Sequence, residues 1–159
     1  MSTTTLAPLL REHPFLRGFT RDQIDFMVSC ASNVHFKSGD FLIKEGDVAD
    51  HFHLLREGTV SLEIYVPGPG VQRVETLIAG DIVGHSWLFP LSRWNLDARA
   101  ISDVRALRFD GTCLRNKMEK DHDFGYEIAM RLLRALTSRI DRIQMQRMDA
   151  YRVEGHEHR

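Results

Sequence analysis

The chain lacks the features that would place it in a membrane, outside the cell or among obvious catalysts. No apolar run approaches the roughly 20 residues that a bilayer-spanning helix needs. The N-terminus MSTTTLAPLLREHPF has no basic stretch and no sustained apolar one, so no export signal is read. The expected location is therefore the cytoplasm, with no membrane partner. There are only 2 cysteines, Cys30 and Cys113, far apart and without metal-ligand spacing. They read as reduced, partly buried thiols, with pairing left open by the sequence alone. The formal net charge is only -1, which gives no bulk attraction to nucleic acid. A catalytic constellation is also missing. Asp22, Asp25, Asp121 and Asp123 are explained by helix caps and solvated faces, and Ser86 beside His85 has no third member. No catalytic residue is assigned, and the chain is not expected to be an enzyme.

What is present suits one folded domain. A hydrophobic content of 43% in 159 residues can build a core without cross-links. Thr20 and Gln23 have the spacing of a capping box, and Ile24, Met27 and Val28 follow on one helical face. Leu6, Leu9 and Leu10 suggest a shorter helix before it, so residues 1–32 read as an N-terminal helical segment.

From Asn33 the apolar period changes to two. Val34–Phe36, Phe41–Ile43, Phe52–Leu55, Val60–Ile64 and Val74–Leu77 read as strands. Val60–Ile64 alternates as if one face were buried and one solvated. Ser38-Gly39-Asp40, Glu45-Gly46-Asp47, Glu57-Gly58 and Pro67-Gly68-Pro69-Gly70 are the turns between them. Short strands with such spacing predict a β-sandwich or barrel over residues 33–110.

After Asp110 the pattern is helical, and residues 111–150 read as C-terminal helices. Ala129, Leu133, Leu136, Ile140 and Ile143 alternate spacings of four and three, the seam of a coiled coil. A helix over about 122–147 would overrun a small barrel at 1.5 Å per residue. Leu133, Leu136, Ile140 and Ile143 are therefore assigned to a homodimer interface, the alternative being a helix packed on its own β-domain. Residues 151–159 read as a disordered polar tail.

The stretches FKSGDFLIKEGDVADHFHLLREGTVSL and LIAGDIVGHSWLF, followed by ARAISDVRALRFD, resemble the cyclic-nucleotide-binding domain superfamily. Within it they are similar to the catabolite-activator and fumarate–nitrate-regulator group. The resemblance covers most of residues 20–145 and implies a mainly β fold: a β-jelly roll, flanking helices and a long C-terminal dimerisation helix. Transcription factors of that group carry a winged helix-turn-helix after the long helix. Nothing of the kind follows here, so a stand-alone domain without direct DNA binding is expected.

The resemblance also implies a phosphate-binding cassette at residues 80–99, where this chain departs from the pattern. In the family a glycine–glutamate pair opens the cassette, and an arginine closes it just before an alanine that enters the next strand. Gly84 matches the glycine, but His85 stands for the glutamate, Trp94 for the arginine and Leu96 for the alanine. Arg93 comes one residue early. A charge-assisted bond to phosphate contributes about 1.5–3 kcal/mol, so losing the arginine is serious.

Several readings of the cavity follow. Arg93 and the Gly84, His85 and Ser86 amides could hold a small anion against an aromatic wall of Trp87 and Trp94. The tryptophans could instead fill the cavity of a ligand-free dimeric scaffold. The others are cyclic AMP or cyclic GMP held in the ordinary way, as in a transcriptional regulator, and a haem, as in some relatives. His51 and His53 would share one face of a strand, but two imidazoles are a weak metal signal and no metal site is assigned. No cofactor is assigned with certainty: cyclic nucleotide is one candidate ligand and haem the least favoured. The function expected is a regulatory sensor, its ligand a small anion, with the ordinary cyclic AMP contacts altered. The dimer helix would carry its signal to an unidentified protein partner.

Overall fold

Turn chemistry at short intervals shapes the chain, and the computed structural model describes residues 3–157. Helix α1 (Thr3–Glu12), a 3-10 turn (Pro14–Leu16) and helix α2 (Arg21–Ser29) come first. Eight strands follow: β1 (Ala31–Phe36), β2 (Phe41–Ile43), β3 (His51–Glu57), β4 (Val60–Val66), β5 (Gly70–Leu77), β6 (Ile82–Val83), β7 (Asp97–Ala100) and β8 (Val104–Asp110). A second 3-10 turn (Ser86–Leu88) lies between β6 and β7, and helices α3 (Gly111–Lys120) and α4 (His122–Glu157) complete the order. Among the described residues no helix is long and apolar enough to cross a membrane.

The strands form two four-stranded antiparallel sheets, β1-β8-β3-β6 and β2-β7-β4-β5. This is the two-sheet β architecture that the turn pattern predicts, and the mainly β jelly roll with flanking helices that the resemblance implies. The capping box forms as its spacing requires: Gln23 N donates to Thr20 Oγ1 at 3.2 Å and Thr20 N donates to Gln23 Oε1 at 2.9 Å. The β4–β5 hairpin closes where Val66 pairs with Gly70, which leaves Pro67-Gly68-Pro69 at the tip. Gly58 is indispensable to the β3–β4 turn. Its φ is +92°, and a Cβ there would lie 2.1 Å from the Asp103 carbonyl oxygen.

The β3–β8 pair of the first sheet carries a three-ring stack with the second 3-10 turn. Trp87 lies on Phe52 with centroids 4.5 Å apart, and Phe52 lies on Phe109 at 5.0 Å. All three are fully buried, as are Leu54, Leu55 and Leu107. The outer face of β4 departs from simple alternation, because Ser61 and Glu63 are buried as well. Their polarity is satisfied by neighbouring strands. Arg99 grips Glu63 through both oxygens at 2.9 and 3.0 Å, Ser61 Oγ donates to Glu63 Oε2 at 3.1 Å, and Arg73 Nε donates to Ser61 Oγ at 3.0 Å. Arg99, then burial, are the main influences on Glu63, and the arginine wins: the carboxyl pKa lies below its usual value.

Two sequence expectations need correction. Cys30 and Cys113 are not free thiols. They form a disulfide with Cα atoms 6.0 Å apart, across 83 residues of sequence, because β8 returns the chain to the end of α2. One stripe of helix α4 packs on its own domain, beside the stripe assigned to a dimer. Phe124, Ile128 and Leu132 are buried, and Phe124 meets Phe19 and Phe26 edge-on or tilted at 6.0 and 5.8 Å. Arg131 reinforces the contact by donating to the Phe15 carbonyl at 2.7 Å and lying 4.1 Å over the Phe19 ring. The proposed seam is the neighbouring stripe: Leu133 and Ile140 are exposed, while Leu136 and Ile143 are half-buried. Asp121 caps the helix, its Oδ1 accepting from Phe124 N at 3.2 Å. The helix continues past Arg147 to Glu157, so most of the segment read as a disordered tail is helical, and residues 158–159 lie outside the described residues.

Candidate functional site

The cassette starts where β6 ends. Gly84 has φ +94°, a left-handed conformation that glycine adopts without steric cost. Its missing side chain matters a second time. A Cβ on Gly84 would lie 2.6 Å from Trp94 Cη2 and 2.9 Å from Trp94 Cζ3. The indole is therefore seated directly on the glycine, in the space over the loop that should cradle an anion. Trp94 is buried, with 4% exposed. Its backbone is held on both sides by the Lys44–Asp47 turn: Trp94 N donates to Asp47 O at 3.0 Å, and Gly46 N donates to Trp94 O at 2.9 Å.

That anchoring decides where Arg93 goes. The segment is extended, so consecutive side chains point to opposite faces, and with Trp94 inward Arg93 must point outward. Arg93 is exposed and its Nη1 donates to the Gly46 carbonyl at 2.8 Å. It does not border the cassette cavity. Trp87 does not border it either, since its ring belongs to the Phe52–Phe109 stack. Of the six residues expected to contact a ligand, Gly84, His85, Ser86 and Trp94 come together and Trp87 and Arg93 do not. The cavity between them is about 20 Å³, room for one water at most.

A cation from another element borders the cassette instead. Arg139 of α4 reaches down to the cassette and borders the same cavity. Its Nη2 donates to the Ile82 carbonyl at 2.7 Å and its Nε lies 3.2 Å from Glu75 Oε2. Arg142, one turn on, places Nη2 2.9 Å from Glu75 Oε1. Glu75 on β5 is thus buried between two guanidiniums, which latch the long helix to the β-roll. Burial is the largest influence on Glu75 and raises its pKa despite both cations. His85 stands at the mouth, exposed on one side. Desolvation on the other side and then the Arg139 cation lower its pKa, so it is neutral at pH 7 and can accept one hydrogen bond.

Sequence reasoning missed Arg139 because the heptad pattern marks only the apolar seam of the long helix, to which it does not belong. The available signal was Glu75, which the two-residue period places on the same face of its strand as the buried Leu77, where a carboxylate requires a partner.

His51 and His53 share a face of β3, as their spacing predicts, with ring centroids 5.2 Å apart. His51 Nδ1 is held by Asp50 Oδ1 at 2.8 Å, and its ring lies 5.9 Å from that of Trp94. His53 is fully buried edge-on to Phe36, and neither ring nitrogen has a hydrogen-bond partner. Among the described residues no cluster of three or more metal-type side chains surrounds the pair. Burial first, then the His51 and Arg108 charges, push the His53 pKa down to about 3.

A folded pKa below the unfolded one means that protons bind the unfolded chain preferentially. The stability is therefore complete above the unfolded value of 6.5 and is lost as pH falls toward about 3. From pH 6.5 to pH 5 this group alone should lower the unfolding free energy by roughly 1–2 kcal/mol. Urea melts of the wild type and His53→Phe measure it as the difference in slope between the two proteins. The comparison cancels His13 and His85, whose lowered pKa values act in the same direction. Parallel slopes would mean that His53 does not titrate between the folded and unfolded states.

A sequence profile of the cyclic nucleotide-binding domain matches residues 33–121 of the chain. A regulatory subunit of cAMP-dependent protein kinase from Schizosaccharomyces pombe is 28% identical over 102 residues, which are 64% of this chain and 24% of that protein. The chain thus spans about a quarter of the length of this relative. Among solved structures, a cyclic nucleotide-binding domain from Methylobacillus flagellatus superposes with a TM-score of 0.80 at 18% identity, covering 92% of this chain and 84% of the other. The N-terminal domain of a transcriptional regulator from Streptomyces coelicolor gives 0.65 at 21% identity, covering 85% and 94%.

Proposed function

The chain belongs to the cyclic nucleotide-binding domain family, and from that premise we propose that it is a regulatory domain whose ligand site is closed by its own side chains. Trp94 takes the place of a bound ring and Arg139 supplies the cation that the cassette lacks. The observation that carries this reading is the position of Arg139, which borders the Gly84–Ser86 turn while ion-paired to Glu75. A pocket for a drug-sized ligand is about 300–1,000 Å³, so the ordinary mode of cyclic nucleotide binding requires this site to open. A small anion can compete with Glu75 for Arg139, using the Gly84–Ser86 amides as its other contacts. Releasing Arg139 unlatches the distal part of α4. Ligand binding and helix position are thereby two readouts of one equilibrium, which requires different affinities for the two helix poses.

The output surface is the exposed stripe of α4. Leu133 and Ile140 are 56% and 55% exposed, on a helix already anchored by its other stripe. We assign it to a homodimer, through which the domain acts on a partner protein. Leu133→Asp should convert a dimer to a monomer in light scattering, and a wild-type monomer at micromolar concentration would remove this part of the proposal.

Thermal shift with inorganic phosphate, pyrophosphate, cyclic AMP and cyclic GMP tests the ligand part. A specific ligand at 100 times its Kd stabilises by about 2.7 kcal/mol. An anion-induced shift that is lost in Arg139→Ala and kept in Arg93→Ala supports the proposal. A shift lost instead in Arg93→Ala would return the cation role to Arg93. The second reading is a dimeric scaffold with no ligand, favoured by the fit of the Trp94 ring on Gly84. A wild type that responds to none of these compounds would select it.

A further inference from the structure

We propose that the Cys30–Cys113 disulfide is a thiol-exchange site, at which a small-molecule thiol attacks Cys113 and changes the setting of the cassette. The bond forms part of an open groove of about 410 Å³ that is also lined by Ser29, His51, Arg108 and Thr112. The two sulfurs are not equivalent. Cys113 is half-buried in the first turn of α3, whereas Cys30, the C-cap of α2, is buried with 8% exposed. An incoming thiolate therefore meets Cys113 first. Its sulfur bonds to Cys113 Sγ, the bond between the two Sγ atoms breaks, and the electron pair leaves on Cys30 Sγ. Ser29 Oγ, which donates to the Phe26 carbonyl while the disulfide is closed, lies 3.8 Å from Cys30 Sγ and can turn its proton toward that thiolate. A second thiolate then attacks the external sulfur of the mixed disulfide and releases Cys113 as a thiolate. The sum is one protein disulfide and two thiols giving a dithiol and one external disulfide.

Short contacts connect this bond to both cassette tryptophans. Cys113 lies two residues before Arg115, whose Nη1 donates to the Trp87 carbonyl in the 3-10 turn of the cassette. Gly111, two residues before Cys113, donates its N–H to the Asp50 carbonyl at 2.8 Å, and a Cβ on it would lie 3.1 Å from Trp87 Cβ. The Asp50 side chain holds His51, whose ring lies 5.9 Å from that of Trp94. The disulfide ties the start of α3 to the end of α2. Opening it frees the α3 turn that touches one tryptophan directly and the other through Asp50 and His51.

The test uses the full chain, folded, with reduced glutathione as the probe. Maleimide labelling and intact mass should show loss of the disulfide within minutes to hours, the range of uncatalysed exchange. Tryptophan fluorescence should change in step while far-ultraviolet circular dichroism stays constant. Oxidised glutathione added to Cys30→Ala should leave one glutathione on Cys113. Cys113→Ala should label Cys30 at least about tenfold more slowly, as burial suppresses thiol reactivity. Three results would overturn the proposal: a disulfide reduced only after denaturant is added, equal labelling of the two single variants, or reduction without a fluorescence change. The wild-type arm decides the first and third even if a variant fails to fold.

Discussion

Trp94→Ala should lower the unfolding free energy by about 3–5 kcal/mol, the usual cost of deleting a buried large aromatic side chain. The site cannot collapse readily. The Trp94 backbone is pinned to the Lys44–Asp47 turn on both sides, and Gly84 beneath the ring has no side chain to move into the space. For a domain of this size the loss corresponds to a Tm decrease of roughly 10 °C. The void has the shape of a flat bicyclic ring, so millimolar indole should restore part of the Tm to the variant and none to the wild type. Cyclic AMP should stabilise Trp94→Ala more than the wild type if the tryptophan is what closes the site. A destabilisation under 1 kcal/mol, or no response of the variant to indole, would show that the ring is not the plug.

Glu75→Ala should cost about 3 kcal/mol, because breaking one side of a buried ion pair leaves the partner charge without compensation. Arg139 bears most of this, since its side chain is 13% exposed against 47% for Arg142. The asymmetry between breaking and replacing makes the test specific. Burial raises the Glu75 pKa and the two guanidiniums lower it, so the pair carries a desolvation cost against its attraction. Replacing both partners by apolar groups, Glu75→Leu with Arg139→Met, should then bring stability to within about 1 kcal/mol of the wild type. Amide hydrogen exchange should show faster opening of the distal part of α4 in Glu75→Ala, with the buried segment around Ile128 and Leu132 unchanged. Two single-variant losses that simply add in the double variant would mean that Glu75 and Arg139 do not act as a pair.

How far the site was legible in the sequence depends on the range of the interaction. The Thr20–Gln23 cap, the Pro67–Gly70 hairpin tip and the shared face of His51 and His53 all follow from neighbours in the chain, and all three form. The resemblance placed Gly84 and Trp94 in the cassette, and a tryptophan filling the cavity was one of the readings it left open. Arg93 was misdirected by a local count. A one-residue offset looks repairable in sequence, but the pairing of Trp94 with the Lys44–Asp47 turn sets which side of the extended segment faces inward. Arg139 and Ile82 are 57 residues apart, and no periodicity on either element announces their contact.

Sequence alone was sufficient for the jelly roll, the frame of the cassette and the apolar stripe on the long helix. The strands, their turns and the stripe are written in turn residues and hydrophobic period, which act over a few positions of the chain, and the jelly roll and cassette frame follow from the resemblance carried by those short motifs. The closed state of the site, its substitute arginine, the Glu75 latch and the Cys30–Cys113 bond were decided only in three dimensions. Each joins groups whose encounter depends on how α4 and α3 lie against the sheets, and that docking is set by the burial of Phe124, Ile128, Leu132 and Leu114 in the common core.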